Sequence, residues 1–388
     1  MDYVYQCKWG LRVVKFDMAI VGAGIVGLAH AFHAAKAGLR VAVFDRSSDA
    51  QGASVRNFGM LALSAQATGD YLYSARRSLT YWQEIAPQAG FGLHQAGCMF
   101  VAREPEEMAV LEEFARSPNM ELHGSHLVSK EDLGRYCQYL KPDRILGALF
   151  NAETWKVDQR QASLKIAKWL HGKYNVSFYF STEVQELAPP KITTSVGTFG
   201  ADHTILCGGN EFASLFPEAF STSGVTSCQL QMMRTHPQLV GGRLQPFVMG
   251  GLSMSRYGAF SSCKSLKDLL KMQSARFKPY IDHGIHVIVG HELDGSVTIG
   301  DSHVYGLGLP SQRSSEIDKL ILKDVADMLN LPNTRIAERW LGHYAYLPNT
   351  GSVKLSPRKG VTIISQTSGQ GMTHGFTIAE ELIAELVK

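Results

Sequence analysis

The stretch FDMAIVGAGIVGLAHAFHAAKAGLRVAVFDRS, residues 16–47, leaves this chain little freedom in how its fold can begin. An apolar run at residues 18–21 stops at glycine, and small and apolar residues follow. Gly38 ends that segment, and a second apolar run occupies residues 41–44. The pattern predicts strand, tight turn, helix, turn and strand. Gly22 permits the turn, Gly24 lets a pyrophosphate approach the helix N-terminus, and Gly27 lets helix pack on strand. Asp45 arrives at the distance needed to accept ribose hydroxyls, and an acid there disfavours a 2′-phosphate. NADP is thereby set aside, and NAD and FAD both fit.

Composition decides what else such a chain can be. At 388 residues it exceeds what one core usually supports, so two domains are expected. A net charge of +3 with no block of like charges gives no nucleic-acid or anionic-membrane footprint. No run approaches the roughly 18 apolar residues of a membrane span. The six cysteines, Cys7, Cys98, Cys137, Cys207, Cys228 and Cys263, contain no C-x-x-C pair. They read as free thiols in a reducing compartment, hence a cytoplasmic address, rather than a disulfide frame or zinc site. Residues 1–15 interrupt their apolar positions with Asp2, Lys8, Arg12 and Lys15 and are expected to form an extension rather than a signal peptide.

Beyond the first unit lie GASVRNFGM (residues 52–60), WKVDQRQASLKIAKWL (155–170), VSFYFSTEVQEL (176–187), GADHTILCGGN (200–210) and TSGQGMTHGFTIAEELIAEL (367–386). In this order they resemble the FAD-dependent amine oxidases of the D-amino-acid oxidase group, which includes glycine and sarcosine oxidases. That resemblance implies FAD rather than NAD. It implies that Arg46, Ser54, Arg56 and Asn57 wrap the cofactor, that Val184 holds adenine through its backbone, and that Gly208 closes under the FAD. The last glycine loop then serves the isoalloxazine, with the N–H groups of Gly371, Met372 and Thr373 at a helix start favouring negative charge on reduced flavin. Ile378, Leu382, Ile383 and Leu386 form the buried side of that helix. Some relatives attach flavin through cysteine; the C-terminal loop has none, so dissociable FAD is expected.

GASVRNFGM, TIGDSHVYG (residues 298–306), TSGQGMT, CQLQMMRT and GGLSMSRYGAF look like one branch of the group, associated with aminophosphonate breakdown. Glycine oxidase supplies a carboxylate-clamping arginine from a W-x-G-x-R-P segment. Here the run is WLGHYAYLP, with Tyr344 in that place. The resemblance then directs substrate binding to Arg256, Tyr257 and His303, with His343 and Tyr344 steering the amine's proton. Arginine suits phosphonate because its planar fork matches that geometry.

Two histidine groups invite a metal reading. His30 and His33 sit one turn apart without a third ligand, which favours a helix-surface or packing role. His283, His286 and His291 lie in an alternating strand pattern and are expected on a strand surface, so no metal is assigned.

The expected fold is α+β. A Rossmann-type FAD domain with a parallel sheet is assembled from residues 16–85, 150–218 and 335–388. A substrate domain with a mainly antiparallel sheet takes 86–149 and 219–334. The implied reaction passes hydride from the α-carbon of a small amine to the flavin, giving an imine that hydrolyses to an aldehyde, with oxygen as acceptor. Alternatives are an amino-acid (glycine, sarcosine or D-amino-acid) oxidase, a flavin dehydrogenase using another acceptor, and a non-catalytic FAD-binding protein.

Overall fold

The computed structural model describes residues 14–238 and 245–388; residues 1–13, with Cys7 and most of the expected extension, lie outside them. The first two strands form as the sequence pattern requires. Lys15–Val21 and Val41–Phe44 pair in parallel, with Met18 opposite Val41 and Val21 opposite Phe44. Val41–Phe44 is buried throughout, as an all-apolar strand covered on both faces must be. Lys15, expected in the extension, already pairs with Gly200.

Around these strands grows an eight-stranded sheet. Lys15–Val21 pairs in parallel with Gly197–Leu206, which pairs in parallel with Val361–Gln366. The strands thus come from distant parts of the chain. One core packs the helices Ile25–Lys36, Asp70–Ala89, Gln159–Tyr174 and Gly371–Leu386, through residues such as Leu28, Phe32, Trp82, Ile166 and Phe376. In the last helix Leu382 and Ile383 are buried, while Ile378 and Leu386 are half-buried against the same core.

A second, nine-stranded sheet is antiparallel except where Phe247–Met249 pairs with Cys98–Ala102. Its longest pairing joins Thr226–Thr235 to Ile336–Tyr346 and sets Cys228 opposite Tyr344 and Gln229 opposite His343. The mixed architecture matches the expected fold class.

His286 and His291 are buried rather than on a strand surface. The strand Ile288–His291 is flanked by Val297–Gly300 and Phe247–Met249 and buried along its length, and His291 stacks on Tyr139 with ring centroids 5.4 Å apart. His30 and His33 both point into the core, which selects packing over helix surface. Burial lowers both to about 4, so both are neutral at physiological pH. The five described cysteines are buried and unpaired.

Lys156, in the short strand Trp155–Val157, is fully buried and lies 2.8 Å from Glu292 of the second sheet's Ile288–Gly300 hairpin. Its ammonium also donates to the Phe58 carbonyl oxygen (2.6 Å) and Gln159 Oε1 (3.1 Å). Lys156→Met is expected to destabilise the fold by about 3–5 kcal/mol, because it strands a buried carboxylate. The double change with Glu292→Gln removes the stranded charge and is expected to be milder. Urea denaturation of both variants checks this.

Candidate active site

A cavity of about 510 Å³ runs between the sheets, lined by Val21, Phe44 and Leu206 of the first and Leu230, Met232 and Ile288 of the second. Its lining includes Asp45, Arg46, Thr182 and Val184, then Gly22, Gly24, Ser54 and Gly208, and a third group of Arg256, Tyr257, Asp301, His303, His343 and Tyr344.

The nucleotide end has the shape a dinucleotide needs. Gly22 adopts φ +106°, and a Cβ there would run into the Cys207 carbonyl oxygen; one on Gly27 would overlap the Gly22 carbonyl oxygen. At Gly24 the nearest atom to such a Cβ is Ser54 Oγ, 3.1 Å away. Helix and strand therefore touch backbone to backbone, and Gly24 faces the cavity. Asp45 Oδ2 accepts the Ala23 N–H (2.7 Å) and Oδ1 the Ser47 N–H (2.8 Å). Each oxygen keeps a second lone pair for a ribose hydroxyl.

The flanking residues are tied to the scaffold. Ser54 Oγ accepts the Ile25 N–H (2.9 Å), capping the first helix. Arg46 pairs with Glu211 (3.0 Å) at the rim. Arg56 donates to the Leu341 carbonyl oxygen (3.2 Å), and Asn57 bridges the Ala53 carbonyl oxygen (2.7 Å) and the Gly59 N–H (2.6 Å).

The last helix starts at the cavity, and its first turn is pinned. Trp82 donates to the Met372 carbonyl oxygen (2.9 Å), and Thr373 Oγ1 accepts the Ala62 N–H (3.1 Å). The Thr373 N–H is used by the Gln370 carbonyl oxygen (3.0 Å), so the donors left at the helix start are those of Gly371 and Met372. A helix N-terminus with free N–H groups favours negative charge. The glycine cradle, the acid after the second strand and this helix start fit FAD.

In the third group Arg256 is exposed to the cavity and donates to Tyr305 Oη (2.9 Å), with Tyr344 Oη at 3.5 Å. Phenols, not a carboxylate, surround this cation: among the described residues no acid lies within salt-bridge distance of it. Gln229 Nε2 faces the Pro310 carbonyl oxygen (2.7 Å), which identifies it as the donor, and it also donates to His343 Nε2 (2.9 Å). His343 therefore offers the cavity an Nδ1–H rather than a free lone pair. Burial, followed by the charge of Arg56, lowers its pKa. Burial holds Tyr344 well above the usual phenol range, so it stays protonated.

The geometry gathers every expected binding residue except Gly27, which acts behind the wall by seating the helix. It adds Asp301 to the lining, with Tyr305 bonded to Arg256 and His286 beside Asp301 behind it, none of them selected from the sequence. Asp301 was legible only as an acid at the end of an apolar strand, two residues before His303.

The sequence model of the family described as FAD dependent oxidoreductase (DAO) matches residues 17–386. Gamma-glutamylputrescine oxidoreductase of Escherichia coli K12 is 23% identical over 402 aligned positions, covering 97% of this chain and 84% of that protein. N-methyl-L-tryptophan oxidase of Salmonella typhi is 26% identical over 219 positions, covering 53% of this chain and 56% of that one. Glycine oxidase from Geobacillus kaustophilus superposes with a TM-score of 0.74 at 18% identity, covering 96% of this chain and 95% of that structure. That likeness is one of fold.

Proposed function

The chain belongs to the DAO family of FAD-dependent oxidoreductases, and from that premise we propose that it oxidises the C–N bond of a small amine carrying an anionic group, an aminophosphonate or N-alkyl aminophosphonate. The product imine hydrolyses to an aldehyde and an amine or ammonia. One observation carries the substrate class: Arg256, a permanent cation, faces the cavity ringed by phenol hydroxyls and with no carboxylate among the described residues within salt-bridge distance. An anionic substrate group would complete it with a forked pair of hydrogen bonds. Tyr344, standing where glycine oxidase places its arginine, supports the reading because its hydroxyl lies against Arg256.

When bound, FAD supplies the hydride acceptor. The chain's own part is to seat the cofactor between the two glycine loops and to hold the amine beside it. We assign the cofactor to residues 16–85, 150–218 and 335–388 and the substrate to 86–149 and 219–334, save that the strand Ile336–Tyr346 belongs to the second sheet and carries His343 and Tyr344 to the substrate side. Oxygen is the proposed acceptor. Buried free thiols suit a cytoplasmic setting, and no helix among the described residues is long and apolar enough to cross a membrane.

Anaerobic addition of 2-aminoethylphosphonate or its N-methyl derivative is expected to bleach the flavin band, while glycine, sarcosine and D-alanine at equal concentration leave it. Bleaching by the amino acids alone would transfer the assignment to an amino-acid oxidase. Bleaching by none of them would favour a FAD-binding protein without this chemistry.

FAD is proposed to be non-covalent. Among the described residues the one cysteine lining the cavity, Cys207, is buried with its thiol pushed well above the usual range by burial, a poor nucleophile. Denaturing the protein and filtering it is expected to leave the yellow colour in the filtrate.

A further inference from the structure

Asp301 lines the cavity yet is buried, and its Oδ1 takes no hydrogen bond. His286 Nε2 stands 3.5 Å from Oδ1 and His303 Nε2 stands 3.9 Å from Oδ2, both too far for good hydrogen bonds. The imidazoles stack with centroids 4.9 Å apart. Each is held from behind: His303 Nδ1 donates to the Gly284 carbonyl oxygen (2.9 Å), and His286 Nδ1 lies 3.2 Å from the Ser253 hydroxyl. With its proton on Nδ1, neutral His303 turns a lone pair toward Asp301. A carboxylate and a lone pair then face each other, a place that a proton would complete.

That proton belongs on Asp301. Burial raises its pKa to about 7, against the opposing charge of Arg256. Burial, followed by Arg256, drives both histidines well below their ordinary value. The remaining titratable groups that feel Asp301, Tyr257 and Cys228, are pushed up by burial and stay protonated.

We propose that Asp301 is the group that takes the proton from the substrate's ammonium as the substrate binds, and that capture of the substrate's anionic group by Arg256 is what enables it. The proposal rests on the anionic-amine reading above. The ammonium N–H bond breaks, its electron pair stays on nitrogen, and an O–H bond forms on Asp301; ammonium and carboxylate become amine and carboxylic acid. Hydride can leave the α-carbon only once that nitrogen pair is free to form the C=N bond. The coupling is electrostatic. Arg256 stabilises the Asp301 carboxylate while the cavity lacks substrate, and an anion pairing with Arg256 cancels that stabilisation, so the carboxylate's proton affinity rises as the ammonium arrives. The new acid can then donate to the waiting His303 lone pair.

The test uses FAD-loaded protein and sulfate, an anion that does not titrate near neutrality. Calorimetry at pH 7 in buffers of different ionisation heat counts the protons taken up on binding. Wild type is expected to take up protons, and Asp301→Asn is expected to bind sulfate without doing so. Sulfate binding with no proton uptake in wild type overturns the proposal and leaves the anion site standing. Absence of sulfate binding overturns the anion reading and the coupling with it. In anaerobic mixing with the phosphonate substrate, Asp301→Asn is expected to slow flavin bleaching on the order of 10²- to 10⁴-fold, with partial recovery in Asp301→Glu. Its rate should keep climbing with pH as free amine forms in solution, whereas wild type levels off once Asp301 is ionised. An unchanged rate and pH profile in Asp301→Asn, at wild-type FAD content, sinks the idea. The three groups also lie within 4.8 Å of one another, so one divalent ion per chain, lost in Asp301→Asn, would likewise overturn it.

Discussion

Arg256→Met is expected to lower kcat/KM for an anionic amine on the order of 10²- to 10⁴-fold, with FAD content and melting temperature close to wild type. A hydrogen bond to a charged group contributes about 1.5–3 kcal/mol, and a guanidinium fork makes two. The loss should fall mainly on KM if the anion is held equally in ground and transition states. The cofactor should be indifferent, because the polar partners of Arg256 are Tyr305 and Tyr344 and none of the glycine-turn residues or Asp45 hydrogen-bonds to it. Arg256→Lys keeps the charge without the fork and should recover only part of the loss. Steady-state kinetics with a phosphonate amine and an uncharged amine of similar size checks this: equal losses on both would show that Arg256 does not read the anion.

Gly27→Ala is expected to yield protein without flavin. Its Cβ would overlap the Gly22 carbonyl oxygen, a backbone atom that cannot rotate aside, so the first helix must lift from its strand. Overpacking a core costs about 1–3 kcal/mol, and this site should fall at the upper end because both partners are backbone. The same displacement moves the N-terminus of the helix and the Gly22–Gly24 turn that would meet the pyrophosphate, so the loss of FAD should exceed the loss of stability. The ratio of flavin to protein absorbance, set beside the melting temperature, separates the two. Gly38→Ala is the contrasting control: Gly38 also has a positive φ, +87°, but nothing stands near its Cβ, so mild destabilisation with FAD retained is expected.

The nucleotide end was legible in sequence because its logic is local. Gly22, Gly24, Gly27 and Asp45 act within one strand–helix–strand unit, where spacing alone says which residue meets the ligand. The substrate end is made by pairings between distant strands. The register that sets Cys228 opposite Tyr344 and Gln229 opposite His343 joins positions more than a hundred residues apart. Arg256 and His303 could be singled out as polar residues in motif-like loops, but Asp301 could not, because an acid closing an apolar strand reads as a surface cap until the burial of its neighbours is known. His286 and His291 failed for a related reason. Alternation along a strand says which residues share a face, whereas whether that face meets water depends on what covers the sheet.

The last helix lies against the first, and the strand Gly197–Leu206 sits between Lys15–Val21 and Val361–Gln366. On a ribosome this arrangement has a consequence in time. The glycine turn and its helix must wait for a neighbour nearly two hundred residues later, and for the helix Gly371–Leu386. Such non-local closure slows folding and prolongs exposure of apolar strands. The nascent chain therefore carries an open half-cradle until those partners emerge, vulnerable to aggregation. Cofactor supply during expression should then govern how much chain is rescued into the folded state as well as how much of it is active.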